Sequence, residues 1–82
     1  PKYGSAMNEP KETLNRIKVV LVEQQRTNKW LAEQLDRDPA TVSKWCTNKV
    51  QPDVQTLSKI ADVLGVNIRN LLIDREPVML NK

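Results

Sequence analysis

The chain has 82 residues, of which 39% are hydrophobic and 28% charged, a balance typical of one small globular domain. Cys46 is its only cysteine and it has no histidine, which excludes an internal disulfide and any histidine-based metal or catalytic site. Thirteen basic and ten acidic residues give a net charge of +3, which is too small to identify a partner by charge alone.

The chain begins with an extension and one predicted helix. Residues 1–10 show no hydrophobic periodicity, and we expect a tag remnant before Met7 within an otherwise disordered N-terminus. A helix is predicted from about residue 11 to residue 25, with one apolar side formed by Leu14, Ile17, Val20 and Leu21. Val19 and Val22 widen this apolar band, which indicates additional core or a partner surface.

The second predicted helix covers residues 28–35. Thr27 precedes it, and its hydroxyl can accept a backbone N–H of the first helical turn. Leu31 and Leu35 form the apolar stripe of this helix. Trp30 lies one position off that stripe, so we expect it to be partly buried at the edge of the core.

A third helix is predicted over residues 39–46, directly after a break in the chain. Asp38 is a suitable N-cap, and Pro39 fits the first helical position. Proline also disfavours helical geometry in the residue before it, here Asp38, so the second helix must end near Leu35 or Asp36. Val42 and Trp45 give the third helix its own apolar stripe, and the two helices must therefore pack on a shared core.

Two more helices are predicted after a polar loop, over residues 54–64 and 68–73. Asp53 and Asn67 are their N-caps, and Gly65 stands where a C-cap is expected. The apolar stripes that close the core are formed by Val54, Leu57, Ile60, Ala61, Leu64, Leu71 and Leu72.

A family resemblance is carried by residues spread over this core. In the second and third helices they are Ala32, Asp36, Val42 and Trp45, and beyond them Pro52, Asp53, Thr56, Leu57, Ile60, Ala61, Leu64, Gly65 and Val66. From about residue 14 to residue 72, the chain resembles the phage-repressor class of bacterial DNA-binding domains, the Cro/C1 or XRE type. The resemblance implies a compact all-α, five-helix, phage-repressor-like domain over residues 11–73, with a helix-turn-helix at helices 2 and 3.

Two positions depart from the family pattern. Asp36 stands where the family usually has glycine, because the turn needs a left-handed residue, and aspartate tolerates that conformation better than most residues. Arg26 stands where an apolar residue usually packs the start of helix 2 onto the core. We expect the fold to accommodate both departures.

The resemblance implies that helix 3 enters the major groove of DNA. The residues expected to contact base edges are Ala40, Thr41, Ser43 and Lys44. Hydroxyls can bond donors or acceptors, alanine can touch a thymine methyl group, and lysine can reach guanine O6 and N7. Judged by the residues alone, the same face would equally suit an ordinary exposed helix.

Phosphate contacts are expected on both sides of helix 3. The candidates are Thr27, Asn28, Lys29, Thr47, Asn48, Lys49 and Gln51. Asn28 matches a family position that is often glutamine and binds a phosphate, and the positive end of a helix attracts anions. A solvated polar residue is the alternative interpretation of Asn28. The polar loop after helix 3 resembles the family loop that contacts the sugar-phosphate backbone.

The implied function is sequence-specific binding of double-stranded DNA by a homodimeric transcriptional repressor of a palindromic operator. Helix 5 and the tail at residues 74–82 are the candidate dimer surface. Alternatives are an antitoxin whose tail binds a toxin, the controller protein of a restriction-modification operon, or a protein-interaction module that has lost DNA binding. The low net charge and the acidic residues near the motif, Asp36 and Asp38, motivate the last of these.

No chemistry is predicted for this chain. Paired carboxylates and activated nucleophiles are not evident, so we expect no enzymatic activity, no cofactor, no metal site and no small-molecule substrate. Cys46 is interpreted as a small buried or half-buried filler, with a redox switch or a nucleophile as the alternative. Because the sequence lacks a membrane-spanning apolar run and a signal-peptide pattern, we expect a cytoplasmic location without membrane contact.

Overall fold

The computed structural model describes residues 13–73. Its elements are α1 (Ile17–Glu23), α2 (Asn28–Leu35), α3 (Pro39–Cys46), α4 (Val54–Leu64) and a 3-10 helix (Ile68–Leu71). The described region is helical, as predicted, but it has four α-helices and not five. The predictions made for residues 1–10 and 74–82 lie outside the described residues. No helix within residues 13–73 is long and apolar enough to cross a membrane.

Capping side chains begin helices α2, α3 and α4 at the predicted residues. The Thr27 hydroxyl accepts the backbone N–H of Trp30 at 2.9 Å, and the Asp38 carboxylate accepts that of Ala40 at 3.0 Å. Asp53 accepts a backbone N–H from the first turn of α4 at 2.8 Å. Each cap satisfies a donor that has no partner inside its helix, so the start of each helix is encoded locally.

Left-handed residues end α2 and α4. Asp36 has φ 56° and ψ 49°, and Gly65 has φ 68° and ψ 32°. After Asp36, the backbone N–H of Arg37 donates to the carbonyl of Ala32 at 2.9 Å, which closes the last turn of α2. Aspartate therefore adopts the left-handed turn conformation for which the family usually has glycine.

All the helices contribute to one core. Its largest fully buried side chains are Ile17, Leu21, Leu31, Val42, Ile60 and Leu71. Trp30 is partly buried and packs against this core, as predicted. Val19 and Val22 are exposed, so the widened apolar band of helix 1 is not additional core. The core instead receives the end of α3, where Trp45 is buried.

The predicted start of helix 1 is wrong, because α1 begins only at Ile17. Asn15 and Leu72 form an isolated antiparallel β-bridge, and the backbone N–H of Arg16 donates to the carbonyl of Leu71 at 2.8 Å. The side chain of Asn15 also accepts the N–H of Ile17 at 3.0 Å. These bonds hold the chain extended where the apolar spacing alone predicted helix.

The fifth predicted helix is shorter and tighter than expected. It is the 3-10 helix Ile68–Leu71, capped by Asn67 as predicted. Leu72 has extended backbone geometry, and the N–H of Ile73 donates to the carbonyl of Leu14 at 3.1 Å. Pairing with the segment before α1 therefore replaces a further helical turn.

Candidate nucleic-acid interface

Helix α3 has a buried side and a solvent-facing side. Val42 and Trp45 are buried in the core. Of the residues predicted to contact base edges, Ala40 and Lys44 are exposed, whereas Thr41 and Ser43 are half-buried. The exposed pair are four residues apart, so they lie one above the other on the same face. A binding partner would therefore meet Ala40 and Lys44 first.

The turn between α2 and α3 is fastened by Arg37. Its guanidinium lies over the ring of Trp45, 5.6 Å from the ring centroid, and donates to the Thr56 hydroxyl at 3.3 Å. One side chain thus connects the turn to α3 and to the first turn of α4. Sequence analysis missed this role because the three residues are far apart in the chain and no local pattern joins them.

Positive charge gathers at the start of α2. Lys18, on α1, donates from Nζ to the Asn28 side-chain oxygen at 3.3 Å, and Lys29 is exposed beside it. The positive end of the α2 dipole lies at the same place. Sequence analysis had not included Lys18 among the site residues, because it belongs to a different helix. The Asn28 side chain is therefore held beside Lys18 at the positive end of α2, and Lys29 is the next residue of the helix, a setting that suits an anion.

Arg26, two residues before α2, packs on an aromatic ring, at a position where an apolar side chain was expected. The guanidinium of Arg26 lies 4.3 Å from the ring centroid of Trp30. This cation–π contact connects the residue before the cap to the third residue of the helix, close to where an apolar staple would act. It also accounts for Trp30 lying off the apolar stripe of α2.

The loop after α3 presents some of its predicted phosphate ligands outward and turns others inward. Thr47 and Lys49 are exposed, and the Thr47 hydroxyl donates to the carbonyl of Ser43 at 3.1 Å. Asn48 is only 8% exposed and Gln51 is half-buried. Because the Asn48 side chain is used inside the protein, it does not reach the surface that Thr47 and Lys49 form.

Cys46 is the last residue of α3, and its side chain is buried in the core. It is 8% exposed, in agreement with its interpretation as a buried filler. Burial raises the pKa of its thiol, and the charge of Lys18 opposes that shift only in part. The thiol is therefore protonated near neutral pH and poorly nucleophilic.

Helix α3 follows α2 across a tight left-handed turn, and it has one buried side and one exposed side. This arrangement defines a helix-turn-helix protein. The chain matches the family of Cro/C1-type HTH DNA-binding domains over residues 16–76, and it belongs to that family. The predicted resemblance is confirmed.

A solved structure supports the same assignment. The crystal structure of a candidate DNA-binding protein from Bacteroides fragilis is 55% identical to this chain and superposes with a TM-score of 0.72. The match covers 73% of this chain and 97% of that one. No curated protein sequence matches the chain.

Proposed function

We propose that this protein is a transcriptional regulator that binds double-stranded DNA sequence-specifically, with α3 in the major groove. The observation that carries the proposal is the way α3 packs on the core. Its buried side fixes the orientation of the helix, while Ala40 and Lys44 remain exposed. The major groove is wide enough for an α-helix and presents a distinct pattern for each base pair. Membership of a family of DNA-binding domains supports DNA as the ligand.

Phosphate contacts are assigned to the two surfaces that flank α3. They comprise Thr27, Asn28 and Lys29 on one side, and Thr47 and Lys49 on the other. The Gln51 side chain, like that of Asn48, is hydrogen-bonded inside the protein. Phosphate contacts set the orientation of a protein on the duplex without reading its sequence. Two such surfaces on either side of a recognition helix would fix how that helix enters the groove.

The proposal extends to a homodimer that represses by covering a promoter. One helix as short as Pro39–Cys46 contacts only a few base pairs, and helix-turn-helix dimers gain specificity by reading two half-sites. The 3-10 helix and residues 74–82 remain the proposed dimer surface. We further propose that the protein acts by binding alone, without catalysis or a cofactor.

The test is selection of bound sequences from a random duplex pool at moderate salt. We expect a palindromic site to be enriched. Lys44→Ala should relax the preference at one position in each half-site, because a bonded base edge is then no longer read. Lys59→Ala, which removes the same charge from the exposed side of α4, is the matched control and should preserve the selected site. Recovery of no site, with only weak salt-sensitive binding, would overturn the proposal.

One observation favours a second candidate, a protein-interaction module without DNA binding. Asp36 and Asp38 are both exposed next to α3, where they would repel phosphates. Asp38 has a structural reason to be present, since it caps α3. If the module is the function, Lys44→Ala and Lys49→Ala should leave every measured interaction of the protein unchanged.

A further inference from the structure

Asn48 follows α3 and has an unusual position for a polar loop residue. It is 8% exposed and has a left-handed backbone with φ 63°. Its side-chain oxygen accepts the backbone N–H groups of Leu14 and Asn15, each at 2.9 Å, and its amide nitrogen donates to the carbonyl of Asn15 at 3.1 Å. Both ends of the buried amide are therefore satisfied by the segment before α1, more than thirty residues away in the chain.

Two further side chains complete this polar network. Asn15, which is 4% exposed, donates to the carbonyl of Trp45 at 3.0 Å and to the side-chain oxygen of Gln51 at 2.7 Å. Gln51 in turn donates to the Asn48 side-chain oxygen at 3.0 Å. We call Asn15, Asn48 and Gln51 the amide network. A buried network with its members satisfied specifies one arrangement of the segments that it joins.

The amide network lies directly beneath a surface assigned to DNA phosphates. Lys49 follows Asn48, and its backbone N–H donates to the carbonyl of Lys44 at 3.0 Å, so the loop folds back against the end of α3. The left-handed conformation of Asn48 makes this reversal. Because the Lys49 side chain is long and flexible, what the protein can fix is the position of its backbone relative to α3.

We propose that Asn48 is a positioning residue for DNA binding. Through the amide network, it holds Thr47 and Lys49 at a fixed place beside α3, so that the loop meets a phosphate when α3 occupies the groove. This role rests on the proposed function and adds to it a residue that touches no DNA itself. The network extends to the segment before α1, so residues remote from the duplex set the phosphate contact.

The first test replaces Asn48 with glycine. Glycine adopts φ near 60° without strain, so Asn48→Gly removes the amide and leaves the backbone conformation available. Gln25→Gly is the matched control, because Gln25 is exposed and also left-handed, with φ 59°, but lies outside the amide network. Nitrogen-15 relaxation should show increased motion of residues 47–51 in Asn48→Gly and unchanged motion in Gln25→Gly.

DNA binding is measured on the same two variants with a mixed-sequence duplex at several salt concentrations. For Asn48→Gly we expect a loss of affinity on the order of tenfold, the equivalent of one charge-assisted contact. The slope of log affinity against log salt should fall by about 1, because one phosphate contact is lost. Gln25→Gly should reproduce both wild-type values.

A double-mutant cycle then separates positioning from general destabilisation. Lys49→Ala should weaken binding in the wild-type background and have little further effect in Asn48→Gly, because the contact has already been lost. Lys44→Ala, on α3, should weaken binding by the same factor in both backgrounds. Additive losses for Asn48→Gly and Lys49→Ala would overturn the positioning role.

The outcomes distinguish this role from the proposed function. A wild-type protein without salt-dependent affinity for any duplex would overturn the proposed function, whereas unchanged motion of residues 47–51 in Asn48→Gly would overturn the positioning role even if DNA is bound. If Asn48→Gly does not fold, Asn15→Ser replaces it, since the serine hydroxyl can still accept the N–H of Ile17 but the donors to Trp45 and Gln51 are lost. The same loop motion and salt slope then decide.

Discussion

The carboxyl group of Asp53 couples ionisation to the stability of α4. Hydrogen bonds from the side chain and then the backbone N–H of Thr56 hold the pKa of its carboxyl below the usual 3.8. A carboxylate with a lowered folded-state pKa stabilises the fold above its unfolded pKa, and the contribution disappears as the pH falls through the folded value. The cap of α4 should therefore weaken in acid.

We expect the free energy of unfolding of the wild type to fall more steeply below about pH 4 than that of Asp53→Asn. Asparagine keeps a capping oxygen but has no charge to lose. Urea denaturation across the acid range, at constant salt, measures the difference. Asp62→Asn removes the same charge from the exposed surface of α4 and serves as the control. Parallel acid limbs for the wild type and Asp53→Asn would contradict the coupling.

Asp36 has a backbone cost that can be measured separately from its charge. It is exposed and left-handed, with φ 56°, in the turn that sets the angle between α2 and α3. We expect Asp36→Gly to be about 0.5 kcal/mol more stable, because relief of the left-handed conformation slightly exceeds the added entropy of the unfolded chain. Asp36→Val should lose about 1 kcal/mol or more, since a β-branched residue is poorly suited to this region.

Denaturant midpoints at constant slope give these free energies. Equal stability of the glycine and valine variants would show that the turn relaxes out of the left-handed region, and the account of the turn would then be wrong. Asp36→Asn separates charge from backbone, because asparagine tolerates the same conformation without the charge.

At the scale of the elements, the predictable part of the fold is the part with local signals. The bounds of α2, α3 and α4 agree with the predictions because each begins at a capping side chain. Asp36 and Gly65 then end α2 and α4 in the left-handed conformation. These signals act over three or four residues, so they can be recognised in the sequence without knowledge of the fold.

The start of α1 could not be predicted in the same way. Leu14 lies at helical spacing from Ile17, but Asn15 is bound by Asn48 and pairs with Leu72, and these partners are distant in the chain. The candidate site also has features that the local sequence predicts and features that depend on distant residues. The exposure of Lys44 follows from helical spacing, whereas the inward turn of Asn48 depends on long-range hydrogen bonds.

The attachment of α2 to the core tests whether a cation–π contact can replace an apolar staple. Arg26→Ala should lower the free energy of unfolding by about 0.5–1 kcal/mol, because the guanidinium no longer covers Trp30. Arg26→Leu should recover most of the loss by apolar packing on the same ring. Thermal and urea denaturation, followed by tryptophan fluorescence, measure both variants.

Lys59→Ala is the control for this comparison, since it removes an exposed positive charge from α4, away from Trp30 and from the proposed dimer surface. If it costs as much as Arg26→Ala, the loss reflects overall charge and not contact with Trp30. A stability of Arg26→Leu below that of Arg26→Ala would show that the ring needs the cation.

For the whole molecule, the packing of α3 against the other elements matters more to the proposed DNA binding than net charge does. A charge of +3 gives little long-range attraction to DNA, so the proposed specific binding would have to come from contacts made at fixed positions. Arg37 fixes the turn before α3, and the amide network fixes the loop after it. Both ends of α3 are thus connected to other elements, which would make its orientation a property of the whole domain.

The proposed homodimer makes a prediction that depends on this rigidity. Two copies of α3 held in one rigid dimer must meet the major groove one helical turn apart, on the same side of the duplex. Inserting half a turn or a full turn, about 5 or 10 base pairs, between the half-sites of the selected operator should therefore weaken binding sharply, because a rigid dimer can then contact only one half-site. Light scattering of the complexes counts the chains on each duplex. Two chains bound equally well at every spacing would mean that monomers bind independently, and the dimer would have to be abandoned while the DNA-binding assignment stands.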